Sequence, residues 1–418
     1  MMLAAIIALV GAVVQASTFS LGQSIAGRII SGFGVGIFTG TVPMYVSETA
    51  DARHKGSLVL LEGVFALSGI ALAAWINFGI YHASGSVTFR FPLAFQLLFI
   101  LVLLACCPFL PESPRWLVLQ QRNEEAAVIL SRLMDRDVDS PEVTLEVNNI
   151  FAAIQLDQGH RNKYSHNPFS MNKNRHLHRT LLACGMTTLT QLTGINVIPF
   201  YSSIILEGTL HYSPTVARIL SGCLNITLAL GGLTAIFVVE RVGRRKLMLA
   251  STFGMVVCQA AVAGLSSDLS NPTSGQAALF FYFAALYILP VGMFIIPFMY
   301  ASEISPLGIR YQVAGMAAAS SWLFNFMVAE VTPIAIDQIH WEYYLVFASC
   351  STVGCFAIYF LVPETQGRTL EEIDLIFLKS NSIFDMVRVA REFHADPDHF
   401  ELEPDDKSGA QVAYEERL

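Results

Sequence analysis

Ten uncharged stretches recur along this chain, and each is long enough to cross a lipid bilayer. Residues 91–110 ("FPLAFQLLFILVLLACCPFL") hold no charged side chain, and neither do 2–20, 29–47, 63–80, 180–206, 219–239, 247–266, 278–300, 311–329 and 343–362. A hydrocarbon core takes about 20 apolar residues per helical span. Main-chain groups inside it must be paired within the segment, which leaves helices or closed barrels. The runs are far too long for barrel strands. The composition agrees, with 54% hydrophobic and 14% charged residues among 418. The expected class is an all-α, polytopic membrane protein. Stretch 2–20 has no basic flank and is too long for a signal-peptide core.

The charge placement predicts an orientation. Loop 111–179 carries Arg115, Arg122, Arg132, Arg136 and further basic residues, and loop 240–246 reads "ERVGRRK". Loops 207–217, 267–277 and 337–342 are expected to face the other side. Lys and Arg gather on the cytoplasmic side of membrane proteins. With ten spans, an even number, both termini fall inside. The net charge of −8 comes partly from an acidic tail at 395–406, which reads as solvated. The seven cysteines all lie in apolar runs and read as small buried hydrophobes. No metal-ligand cluster, nucleotide-binding loop or nucleophile constellation stands out. No enzymatic activity, cofactor, metal or nucleic-acid partner is expected.

Two internal echoes point to a duplication. "PMYVSETA" (43–50) matches "PFMYASEI" (297–304), with Glu48 opposite Glu303, an offset of 255. "PESPRW" (111–116) matches "PETQGR" (363–368), with Glu112 opposite Glu364, an offset of 252. Parallel repeats of this kind build transporters with a site between the halves. The expected divisions are an N-terminal bundle of four spans (1–111), a cytoplasmic helical linker (112–179), a C-terminal bundle of six spans (180–362) and a cytoplasmic tail (363–418). The offset carries the counterparts of the second half's first two spans to positions before Met1. The sequence therefore reads as ten of twelve spans. In the linker, Ser140 and Pro141 mark a helix start. After the last span, Thr369 and Glu372 form a capping-box pattern. Glycines 32, 34 and 36 are read as packing positions.

The polar residues within the spans carry the functional reading. Span 180–206 holds Gln191 and Asn196, five apart and about 140° round a continuous helix. Asn225 sits in span 219–239. Trp322 and Asn325 share a face in 311–329. Amides donate and accept, and an indole stacks and donates. These groups suit either a sugar or polyol ligand or plain interhelical hydrogen bonds. Pro290 and Pro297 are expected to break span 278–300.

The motifs "GRIISGFGVG" (27–36), "PMYVSETA" (43–50), "PESPRWL" (111–117), "QLTGINVIPFY" (191–201), "ERVGRRK" (240–246), "ASEISPLGIR" (301–310), "SSWLFNF" (320–326) and "PETQGRTLEEID" (363–374) occur in this order. Together they resemble the sugar porter family of the major facilitator superfamily, with loops most similar to fungal monosaccharide transporters. The resemblance implies a major facilitator fold of two parallel-repeat helical bundles. It implies transport of a monosaccharide by alternating access, as uniport or proton symport. A sugar sensor, or a truncated transporter without activity, is the alternative. The implied sugar site takes in Gln191, Asn196, Tyr201, Asn225, Phe298, Trp322 and Asn325. Thr190 stands where the family places a second glutamine, and Ile70 where it often has another. The implied cytoplasmic gate uses Glu48, Arg53, Arg115, Glu240, Arg244, Glu303, Arg310 and Glu364. Arg28, inside a span, matches a proton-coupling arginine whose carboxylate partner would precede Met1. The implied partners are a small sugar, protons in symporting members, and the lipid bilayer, with the plasma membrane as location.

Overall fold

A computed structural model describes residues 1–49, 55–148, 150–151, 167–171, 175–208, 210, 212–267, 272–368, 370–380 and 382–395. Arg53, Thr369 and most of the acidic tail lie outside them, as does the side chain of Glu48. The described secondary structure is helical throughout, as expected for the class.

Four helices come first: α1 (Met2–Ala16), α2 (Leu21–Thr49), α3 (Lys55–Ile80) and α4 (Val87–Cys106). Three short helices follow, α5 (Pro114–Leu119), α6 (Asn123–Met134) and α7 (141–148). The second bundle runs α8 (His176–Leu192), α9 (Val197–Gly208), α10 (Pro214–Val242), α11 (Arg244–Ser267), α12 (Pro272–Met293), α13 (Ile296–Glu303), α14 (Arg310–Ile339) and α15 (Glu342–Leu361). Beyond it lie α16 (Leu370–Lys379) and α17 (Met386–Ala395). Among the described residues, nine helical segments are long and apolar enough to cross a membrane, with α8–α9 and α12–α13 each counting as one. The α1 helix is shorter, 15 residues, or about 22 Å at the usual rise.

Two spans are broken, one expected to be continuous and one expected to break, and both breaks have a local cause. Between α8 and α9, Gly194 adopts φ +80° and its N–H donates to Gln191 O (3.1 Å). That left-handed conformation suits glycine. A Cβ there would also crowd Phe347 and Gln259 at 3.1 Å. Between α12 and α13 the chain turns at Phe294–Ile295, with Pro297 in the first turn of α13. Pro290, expected to break the span as well, is accommodated inside α12.

Small residues set how closely the helices pack. Gly34 faces Ala4 and Ala8 of α1, and Gly27 faces Gln15, whose Nε2 reaches Ser31 Oγ (2.8 Å). Positions 27, 31 and 34 follow the i, i+4, i+7 spacing of one helical face. Gly32 and Gly36 have open space beside them. Residues two apart point to opposite sides, so only Gly34 of the expected trio packs as read. In the second bundle, Gly231 meets the Tyr287 main chain and Pro290, and Gly292 meets Leu247 of α11. The first half joins the second chiefly where α3 packs along α10. There Gly232 admits Leu67, and Gly222 admits the Trp75 ring. Two apolar clusters fill the second bundle. One centres on Met248, Tyr300 and Phe377, the other on Leu228, Met255 and Tyr282. Of the cysteines, only Cys258 is fully buried and Cys106 is exposed, so they do not form the uniformly buried set expected.

The linker follows its caps. Ser113 Oγ accepts from Trp116 N (3.2 Å) at the start of α5, and Ser140 Oγ accepts from Val143 N (3.4 Å) at the start of α7.

Candidate functional site

The α8–α9 break turns three separate amides into one cluster. Gln191, at the end of α8, is 8% exposed. Its Nε2 donates to Ser321 Oγ of α14 (2.8 Å). Its Oε1 accepts from Asn196 Nδ2 (2.6 Å) and from Asn325 Nδ2 (3.4 Å). In a continuous helix Gln191 and Asn196 would point well apart; the Gly194 turn brings them into contact. Asn196 and Asn325 each keep an amide oxygen uncommitted among the described residues. Such a cluster is neutral and offers donors and acceptors together. Trp322, next to Ser321, is 50% exposed, and Phe298 of α13 is 38% exposed. Both leave aromatic surface uncovered by protein. Tyr201 instead ties α9 to α14, its hydroxyl donating to Ala329 O (2.8 Å).

Asn225 is not brought to this cluster. It is 1% exposed and donates to Ser221 O (2.9 Å) within α10. It lines a different cavity, against α3. Ile70 lines that cavity too. Thr190 turns its hydroxyl back onto Met186 O (3.2 Å).

At the far end of the second bundle, two separate motifs meet. Arg244 opens α11 and reaches back to both Glu240 oxygens (3.1 and 3.2 Å). Its Nε also faces Glu303 at 3.4 Å. Glu364 Oε1 accepts from the main-chain N–H groups of Arg244 (2.9 Å) and Arg245 (3.3 Å). The carboxylate thus sits at the N-terminus of α11, where the helix dipole favours it. Gly243 makes this possible. It holds φ +98°, and a Cβ there would lie 2.6 Å from Glu364 Oε2 and Gln366 Oε1. Thr365 Oγ1 donates to Glu303 Oε2 (2.6 Å). Arg310, expected beside Glu303, donates to Ser305 O (3.3 Å).

These motifs match a known family over nearly the whole chain. The family model described as "Sugar (and other) transporter" matches residues 1–377. This chain belongs to the sugar transporter family. Among curated relatives, the MFS-type transporter oryC of Aspergillus oryzae is 37% identical, over 87% of this chain and 69% of that protein. Sugar transporter STL1 of Saccharomyces cerevisiae is 35% identical, over 91% and 67%. Among solved structures, a double-tryptophan mutant of XylE aligns at TM-score 0.77 with 22% identity, covering 90% of this chain and 82% of that one. XylE described as a proton:xylose symporter, bound to 6-bromo-6-deoxy-D-glucose, aligns at 0.74. The fold is the major facilitator fold.

In this sugar-transporter-family chain, the structure adds contacts that the motifs did not announce. Arg179 of α8 is 1% exposed and bonds Ile304 O (3.0 Å) and Asp374 of α16, with Phe377 under its guanidinium at 4.1 Å. Arg175 reaches Ser380 O, and Arg368 reaches Ala390 O. Burial pulls the Arg368 guanidinium down from its ordinary value, and Glu372 and Glu364 oppose the shift. These links strap α16 and α17 under the bundle. A buried arginine next to an apolar run was the only sequence cue, and its partners lie far along the chain. Arg28 is exposed on α2, and its guanidinium makes no hydrogen bond or ion pair among the described residues.

Proposed function

We propose that this protein carries a neutral monosaccharide across the membrane by alternating access, binding it at the Gln191–Asn196–Asn325 cluster beside Trp322 and Phe298. The observation that carries the reading is the cluster itself. Two unpaired amide oxygens lie where a helix is broken inside an otherwise apolar bundle, and the exposed Trp322 stands three residues from Asn325 on one face of α14. Hydroxyl groups can answer the amides, and the carbon face of a pyranose can stack on the indole. An ion would find no opposite charge there. The sugar-transporter name of the Saccharomyces relative supports the same class of substrate. A fructose transporter of Schizosaccharomyces pombe, ght6, is 32% identical over 88% of this chain.

Alternating access needs an element with two arrangements. The Glu240–Arg244–Glu303–Glu364 cluster fits the role of a cytoplasmic latch. Its charges are close and partly buried, and its observed contacts tie α10, α11 and α13 to the segment after α15, which fixes the second half's side of such a latch. Glu48, Arg53 and Arg115 would complete it from the first half. In this orientation both termini are cytoplasmic, and the plasma membrane is the expected location. Arg28 is the coupling candidate: a permanently charged group on an apolar helix, free to pair with a carboxylate that protonation switches. Uptake of labelled D-glucose and D-xylose by the chain in liposomes tests the reading. Asn196→Ala should lower saturable uptake at least about 10-fold, the equivalent of about 1.4 kcal/mol. Unchanged uptake in that variant would sink the site.

A further inference from the structure

The α8–α9 break frees a main-chain carbonyl as well as joining two amides. In a continuous helix Thr193 O would accept from Val197 N. Here Val197 N donates to Gly194 O (3.1 Å). Thr193 O accepts instead from Gln259 Nε2 of α11 (3.3 Å). Gln259 is 2% exposed and bonds to none of the three cluster amides among the described residues. It stands against Gly194 on one side, with the Phe347 ring of α15 on the other. Two helices thus close on the turn, and one of them grips its loose carbonyl.

Packing alone does not call for an amide at this position. Residues 255, 258, 259 and 262 lie on one face of α11 by their spacing. Met255, Cys258 and Val262 are buried apolar members of the cluster that also takes in Ile195, Val197 and Phe347. Gln259 is the polar member of that stripe. Its Oε1 is buried with no hydrogen-bond partner among the described residues. An unmet buried acceptor costs at least as much as one long neutral hydrogen bond returns. A methionine would fill similar space without that cost. As a source of stability the amide is therefore a poor choice. What it supplies is a donor for Thr193 O, one residue before the glycine at which the chain turns. A buried carbonyl needs a partner. Without Gln259, Thr193 O lacks one whenever the turn is closed. The balance then tilts towards other arrangements of the turn, in which Gln191 and Asn196 part.

We propose that Gln259 is a positioning residue for the amide cluster: it holds the Gly194 turn closed through Thr193 O, and so keeps Asn196 on Gln191 without touching the ligand. Its effect on sugar affinity rests on the transport reading above; its hold on the turn does not.

Gln259→Met in the full chain tests the proposal, with Gln259→Leu taking its place if the first variant fails to fold. Hydrogen exchange at Gly194 and Val197, whose N–H groups close the turn, should quicken at least about 10-fold. The Tm should hold or rise, since the unmet acceptor is gone. In liposomes the KM for labelled D-glucose or D-xylose should rise at least about 10-fold, the equivalent of about 1.4 kcal/mol, with Vmax kept. A merely structural role gives the opposite split, because losing folded carriers lowers Vmax and leaves KM in place. Unchanged exchange at Gly194 overturns the hold on the turn. Faster exchange with an unchanged KM, in a chain whose uptake is lost in Asn196→Ala, overturns the positioning role. If the wild type takes up neither sugar, the transport reading fails, and the exchange measurement alone decides whether Gln259 holds the turn.

Discussion

Segment Val87–Phe109 has a mean hydropathy of 2.3, and none of its best window is buried by protein; segment His176–Gly208 has a mean hydropathy of 1.3, and 67% of its window is buried. The more apolar segment is the more exposed one. In water the order would be reversed. In a bilayer the apolar face has lipid to turn to, and helices meet where small and polar side chains let them approach or bond. Burial, though not hydropathy, also separates the two halves. The first-half windows at 21–42 and 60–80 are 11% and 17% buried, whereas those at 214–242, 244–267 and 273–303 are 44–50% buried. The half with the polar interruptions is the half that builds a core, a polar cluster and a charged cluster.

That contrast can be broken by substitution. The largest effect is expected at the charged cluster. Arg244→Ala leaves Glu240 and Glu303 without their shared cation; Glu303 is mostly buried but Glu240 is half exposed, so the cost falls at the low end for buried pairs, about 3 kcal/mol. The apparent Tm in detergent should fall sharply. A Tm near wild type would mean that the cluster is ordinary surface charge. Next, Gly231→Ala drives a methyl into the Tyr287 main chain and Pro290. Such overpacking costs about 1–3 kcal/mol, and the same Tm measurement reads it. Tyr201→Phe comes third: it removes the single bond to Ala329 O, about 1 kcal/mol. The smallest effect is expected at Gly32, where nothing lies within 4 Å of an added Cβ. Gly32→Ala should hold or slightly raise the Tm, because alanine favours the helix by up to about 1 kcal/mol. A loss as large as that of Gly231→Ala would erase the distinction between the two halves.

Much of this was legible in the sequence, for identifiable reasons. Apolar runs of bilayer length needed no tertiary information, so the membrane class and the helices could be read directly. Gln191, Asn196 and Asn325 were visible because amides are costly within apolar runs. Their joining was not visible, since it depends on the positive φ of Gly194. Reading the span as one helix set Gln191 and Asn196 too far apart. Asn225 has the same chemistry as the cluster but belongs to another cavity, because residue type carries no information about which helix face meets which neighbour. The glycine reading failed on spacing: 32, 34 and 36 alternate round a helix, and Gly27, Ser31 and Gly34 form the face that packs. The Arg179–Asp374 link spans 195 residues, and no local pattern foretells it.

The central claim is that recognition sits in the second half at Gln191, and that Arg28 in the first half serves coupling alone. Counterflow of labelled hexose in liposomes separates the two, because exchange down no net gradient needs binding and alternation but not coupling. Gln191→Ala should lose counterflow at least about 10-fold, the equivalent of about 1.4 kcal/mol of binding. Arg28→Ala should keep counterflow and lose accumulation driven by a pH gradient. Counterflow at the wild-type rate in Gln191→Ala would contradict the account.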